Sequence, residues 1–145
     1  MAEMTEPSLD LQKAIRARLV ATSALTALVP ATSIFDRNLR PETFPCIILG
    51  EGHTFPGEGL ARNRVEVYLD LHLWTAGDSL ASVKLIAQAI RSALADRFWT
   101  LDAHSVADLY VRSVRFIRDK DSERSHDMHS HGVMTLFARL VELGQ

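Results

Sequence analysis

The clearest pattern in the chain is the strict alternation from Arg64 to Thr75. Val65, Val67, Leu69, Leu71 and Leu73 fall on one side, and Glu66, Tyr68, Asp70, His72 and Trp74 on the other. A period of two with one apolar side predicts a half-buried strand. Val83, Ile86, Ala87, Ile90 and Leu94 then recur at helical spacing, with Lys84, Gln88 and Arg91 on the outer side. That predicts an amphipathic helix capped by Asp78 or Ser79. Leu11, Ile15 and Leu19 predict an opening helix with Ser8 as its N-cap. Asp10 lies in its first turn, where the helix dipole favours an anion, and Lys13, Arg16 and Arg18 take the wetter sides. Thr22 or Ser23 interrupts this helix, and Ala24 to Leu28 add a turn that Pro30 stops.

Cys46 to Leu49 is apolar throughout and bounded by Pro45 and Gly50, as expected of a strand buried on both faces. Ile34-Phe35-Asp36 reads as a short extended piece. Glu51 to Asn63 has three glycines, one proline and no periodicity, which predicts a long loop or flexible hairpin tip. Val106 to Arg118 reads as a strand with Tyr110, Arg112, Val114, Phe116 and Arg118 on one face and Val111, Ser113, Arg115 and Ile117 on the other. The charged stretch Asp119–Ser130 reads as a turn or mobile loop, and Val133–Leu143 as the last strand. An antiparallel hairpin joins the last two strands without the crossover a parallel pair would need. The expected fold is α+β: a mostly antiparallel sheet of about four to five strands packed by two main helices. Residues 1–7 read as a flexible tail and 8–145 as one domain.

Composition changes this picture little. The 145 residues are 47% hydrophobic and 23% charged, an ordinary globular balance. A net charge of −2 gives no whole-chain case for nucleic-acid binding. The single cysteine, Cys46, reads as a small buried hydrophobe and forms no intramolecular disulfide. No apolar run approaches the ~20 residues of a membrane span, and the acidic N-terminus lacks the order of a signal peptide. The chain reads as soluble and made in the cytoplasm.

Three clusters carry candidate chemistry. Glu66, Asp70 and His72 share one strand face and offer acid–base groups or ligands for a divalent metal; the plainer reading is the wet face of an amphipathic strand. His126, His129 and His131 form a His-x-x-His-x-His pattern, with His129 and His131 on one face if extended; the plainer reading is a solvated loop entering a strand. Arg112, Arg115, Arg118, Lys120 and Arg124 form the one basic cluster, diluted by Asp119, Asp121, Glu123 and Asp127. No catalytic, cofactor or metal residue is assigned from these patterns. Tyr68 and Trp74 place large aromatic area on the polar strand face, which suits either a protein interface or a cover by the first helix.

The order of segments has a family likeness. Leu11-Gln12-Lys13-Ala14-Ile15-Arg16-Ala17-Arg18-Leu19, Ala24-Leu25-Thr26-Ala27-Leu28-Val29, Ile34-Phe35-Asp36, Phe44-Pro45-Cys46-Ile47-Ile48-Leu49-Gly50, Leu71-His72-Leu73-Trp74, the helix around Ile86–Leu94 and His131-Gly132-Val133-Met134 succeed one another. Over residues 9 to 142 the chain resembles the DUF3168 family of tail-completion, or tail-terminator, proteins of long-tailed phages and gene transfer agents. The resemblance implies a non-enzymatic virion protein that forms a ring, usually six-fold, at the head-proximal end of the tail tube. It implies three kinds of partner: further copies of the chain, the major tail tube protein, and the head–tail connector or stopper. DNA would cross the bore without sequence recognition, and no cofactor or membrane is implied. On this reading Glu51, His53, Phe55, Glu58, Arg62, Tyr68, Trp74, Arg118, Lys120, Arg124, His126 and His129 are interface candidates, and Glu66 and Asp70 are candidates to line the bore. A connector stopper is the near alternative. A small metal-dependent hydrolase using Glu66, Asp70, His72 or the histidine loop is the alternative from another class.

Overall fold

The computed structural model describes residues 5–36, 41, 43–77, 79–120 and 128–144. Its elements are α1 (Pro7–Ala21), α2 (Ser23–Thr26), β1 (Ile34–Phe35), β2 (Cys46–Pro56), β3 (Arg64–Ala76), α3 (Leu80–Leu94), β4 (His104–Lys120) and β5 (Met128–Glu142). The strands form one sheet in the order β1-β2-β3-β5-β4. Only the short β1–β2 pair is parallel. This is the expected α+β architecture.

Helices α1 and α3 cover one face of the sheet. Leu11, Ile15 and Leu19 from α1 and Val83, Ile86 and Ile90 from α3 pack with Leu71 and Leu73 of β3 and Met134, Leu136 and Leu140 of β5. Each fully buried side chain of this kind contributes about 1.5–3 kcal/mol of transfer free energy. The predicted stripe of α3 is buried as expected, and Ser79 is its cap, accepting from the N–H of Ala81. The strictly alternating strand is β3, with its apolar set turned to the helices.

Several local expectations change. The N-cap of α1 is Glu6, not Ser8, because Pro7 takes the first helical position, where its missing N–H costs nothing. The Glu6 carboxylate accepts from the Leu9 N–H at 3.1 Å and from the Ser8 hydroxyl. Its other oxygen accepts from Thr54 at 3.0 Å. The expected Glu51–Asn63 loop is half strand: β2 runs to Pro56, paired with β3 as far as Val65, and only residues 57–63 turn. A bulge between Leu49 and Gly52 breaks the alternation there, which hid the strand. Likewise β4 reaches Lys120 and β5 begins at Met128, so the expected Asp119–Ser130 loop is shorter; residues 121–127 lie outside the described residues.

Strand β4 carries two more register shifts, at Val106/Asp108 and Val111/Ser113. Ala107 and Arg112 are the extra residues, and each reverses the facing of the residues after it. Val106, Leu109, Val111, Val114 and Phe116 thereby all pack toward the core. The single alternation predicted for Tyr110–Arg118 is therefore wrong. Arg112 sits on the face away from the helices, beside Tyr68, while Arg118 pairs with the buried Ser130 on the helix-bearing side.

Two polar anchors seat α1. Asp10 is buried and accepts from the N–H groups of Asp102 (3.0 Å) and Ala103 (2.9 Å) and from Nδ1 of the buried His104 (2.8 Å). It is a cross-link to the start of β4 and not a surface dipole partner. Arg18 is no solvent residue either. It donates to the carbonyls of Ala93 (3.0 Å), Asp96 (2.9 Å) and Phe98, and its guanidinium lies 3.6 Å from the centre of the Trp99 ring. It thus satisfies carbonyls at the end of α3 and stacks as only a planar cation can.

Burial opposes ionisation of Asp10, but the hydrogen bonds from His104, Ala103 and Asp102, with the charge of His104, outweigh it and hold the carboxyl below its usual range. Its stabilising effect is therefore complete above the unfolded carboxylate pKa and is lost as pH falls through the lower folded value. Asp10→Ala strands up to three donors, the buried His104 Nδ1 and two part-buried backbone N–H groups, and is expected to cost about 3 kcal/mol or more. Urea titrations of both proteins across the acid range check this: the acid loss of stability should be shallower in the variant.

Candidate assembly face

The helices leave the other face of the sheet uncovered among the described residues. The reading in which α1 covers Tyr68 and Trp74 is overturned, because α1 packs on the opposite side. Four aromatic rings run across this open face, one from each long strand. Phe55 (β2) meets Tyr68 (β3) edge-on at 5.8 Å between centres, Tyr68 meets Phe137 (β5) at 4.9 Å, and Phe137 meets Tyr110 (β4) at 5.2 Å. Phe137 in the middle is buried, while Phe55 and Tyr110 at the two flanks are 44% and 40% exposed. Arg112 donates to the Tyr68 hydroxyl at 3.3 Å, and the Arg139 guanidinium lies 4.9 Å from the Phe137 ring centre. Arg139 also faces Asp108 at 3.4 Å.

The structure brings several candidates together. His53, Phe55, Glu66 and Tyr68 line one shallow hollow at the β2 flank. Glu58 and Arg62 lie in the 57–63 turn, Arg62 with a positive φ of 54°. Leu60 in that turn is fully exposed. Glu51 is exposed in the β2 bulge. Other candidates sit apart, at the far end of the sheet. His129 stacks on Phe44 with centres 4.3 Å apart. Lys120 ends β4 opposite Met128, and Arg118 is two residues before it. Arg124 and His126 lie outside the described residues. Trp74 is not the exposed aromatic that its position suggested: it is 7% exposed, among Cys46, Ile48, Phe35 and Phe44, with His131 flat against it at 3.8 Å.

The acid–base candidates do not converge. Asp70 accepts from Thr135 at 2.7 Å, Glu66 stands opposite Arg139, and His72 meets His131 with nitrogens 2.9 Å apart. Each stands against a different cross-strand neighbour. Among the described residues no three His, Cys, Asp or Glu side chains are placed to hold one metal ion together. Sequence reasoning gave Phe137, Tyr110 and Arg139 no role and read Arg112 only as part of the basic cluster. The spacing of apolar residues in β4 (106, 109, 111, 114, 116) carried a signal for the bulges that place Tyr110 and Arg112 on this face.

Burial lowers the pKa of His72, and the nearby charges of Asp70 and Glu51 partly offset this. Stability linked to His72 is thus complete above the ordinary histidine pKa and falls as pH drops through the lower folded value. An NMR titration should give a His72 midpoint below about 6.5. Asp70→Asn should move it lower still; an upward move would contradict the assignment.

A chain of the solved structure titled "Virion of native gene transfer agent (GTA) particle" superposes on this fold with a TM-score of 0.72, covering 92% of this chain and 95% of that one at 20% sequence identity, a likeness of fold. No curated protein sequence matches the chain. The family profile described as "Tail completion protein gp17" matches residues 13–139, a span that runs from the first turns of α1 almost to the end of β5. With nearly the whole sequence matched, the chain belongs to the tail completion protein gp17 family.

Proposed function

We propose that this structural tail protein closes with copies of itself into a ring, six-fold by the pattern of the resembling family, that ends the tail tube at its head-proximal side and joins it to the head connector. The observation that carries the reading is that the β2–β3 and β4–β5 connections leave opposite ends of the sheet. The register runs from Arg64 opposite Val141 at one end of the sheet to Ala76 opposite His129 at the other. The 57–63 turn therefore leaves one end, and the chain between Lys120 and Met128 leaves the opposite end. A joint between two different neighbours needs two different ends. Glu51, Glu58, Arg62 and the exposed Leu60 would meet one neighbour, and Arg118, Lys120 and His129 the other.

Ring closure needs two unlike lateral patches, since a heterologous contact closes only when its rotation suits. The aromatic row supports such an arrangement, with Phe55 open at the β2 flank and Tyr110 at the β4 flank. Glu66 and Asp70, half-buried on the same face, would face the bore and repel the phosphate backbone of passing DNA. Membership of a family named for tail completion favours shape over bond-making as the mode of action. A connector stopper would use the same ring with the opposite neighbour.

Six copies of the 16.2 kDa chain make a particle of about 97 kDa. Light scattering with negative-stain microscopy, alone and with tail tubes, checks this; a monomer that persists and ignores tubes would count against the reading. Phe55→Asp and Tyr110→Asp are each expected to raise the concentration for half-assembly roughly tenfold or more, as for an interface anchor worth about 2 kcal/mol. Reversing both charges of the 57–63 turn, Glu58→Lys with Arg62→Glu, should abolish binding to one neighbour and leave binding to the other intact, which pull-downs with tubes and with connectors separate.

A further inference from the structure

Two histidines 59 residues apart in the chain meet on the open face. His72 is carried by β3 and His131 by β5, diagonal to one another, since His131 stands opposite Trp74 and His72 opposite Val133. Nδ1 of His72 and Nε2 of His131 are 2.9 Å apart, and the rings are nearly parallel at 24°. In the neutral pair one of these nitrogens donates and the other accepts. The same spacing suits a cation. With metal–nitrogen bonds of about 2.05 Å, two imidazoles in adjacent positions of a square or octahedral shell have nitrogens about 2.9 Å apart, while a tetrahedral shell needs about 3.3 Å.

We propose that His72 Nδ1 and His131 Nε2 form a chelating pair for a divalent transition ion of square or octahedral preference, of the Cu²⁺ or Ni²⁺ class, with water completing the shell. Both rings are held in place. His131 lies against Trp74 at 8° to its plane. His72 lies over Gly50, where a Cβ would come within 2.6 Å of its Cδ2 and 2.9 Å of its Nε2, so a side chain at position 50 would push the ring away. Chelation requires the rings to turn from the hydrogen-bonded arrangement until both lone pairs aim at one point. The ring that donates in the neutral pair must first shift its N–H to its other nitrogen; both neutral histidines then bind with no net loss of a proton. Asp70 and Glu51 lie close enough to favour positive charge at His72. Asp70 is already occupied by Thr135 and acts through its field. Cys46, opposite Trp74, has its thiol pushed up to about 11 by burial and offers no competing thiolate at neutral pH.

The sequence hid this pair because it split the two residues between separate clusters, one in the carboxylate-bearing strand and one in the histidine-rich stretch. The test is titration of the tag-free full chain with nickel chloride by calorimetry, and with substoichiometric Cu²⁺ by NMR. One ion per chain is expected, with paramagnetic broadening centred on the ring signals of His72 and His131. His72→Gln and His131→Gln should each weaken binding roughly tenfold or more, while His53→Gln leaves it unchanged. Broadening centred on His126 and His129, unchanged affinity in both variants, or no binding would overturn the proposal. The NMR measurement uses the unmutated chain, so the result stands even if a variant fails to fold.

Discussion

The arrangement depends on how α1 is held. Its two polar anchors, the buried Asp10 carboxylate and the Arg18 guanidinium, reach into one stretch of chain, from Ala93 to His104, that leads from α3 into β4. One anchor closes the end of α3 and the other fixes the start of β4. The opening helix, the later helix and an outer strand are thus tied at a single seam. A buried carboxylate is costly unless its lone pairs are met, and here three donors meet it. Hydrophobic burial supplies most of the stabilisation, but it is non-directional; the two anchors give it an orientation.

With both main helices committed to one side, the sheet's other side must manage its own surface. It does so in three bands. At one end Trp74, Cys46, Ile48, Phe35 and Phe44 make a small second core. In the middle Asp70 and Thr135 satisfy each other. At the other end the aromatic row passes from strand to strand, its centre buried and its two extremities exposed. A face finished in this way is neither a plain solvent surface nor a core awaiting a helix. Cation–π contacts from Arg112 and Arg139 keep the rings partly covered in the isolated chain while leaving aromatic edges available to a partner.

Much of this was legible in the sequence, and the failures share a cause. Strand β3 and helix α3 were readable because unbroken periodicity reflects a single environment over many residues. The strand half of Glu51–Asn63 was not, because the bulge at Gly50 and Glu51 changes the phase just where glycines suggest a loop. The two faces of β4 were misassigned for the same reason: an extra residue at Ala107 and another at Arg112 turn a 2-2-2 pattern into 3-2-3-2. Asp10 and Arg18 look like solvent residues in a helical wheel, and their partners lie more than 70 residues away. Trp74 was placed on the correct face but given the wrong exposure, since nothing local shows that His131 lies on it. Periodicity reports which side a residue is on; it does not report what the other strands bring to that side.

The two ends of the sheet carry a last consequence. One end of the sheet presents a short turn with a bare leucine and both signs of charge, and the other presents a histidine stacked on phenylalanine beside a cationic strand end. An object with unlike ends stacks on its own kind only where one end is complementary to the other, as in a head-to-tail filament. Where that complementarity is lacking, a second layer would find no seat on the first.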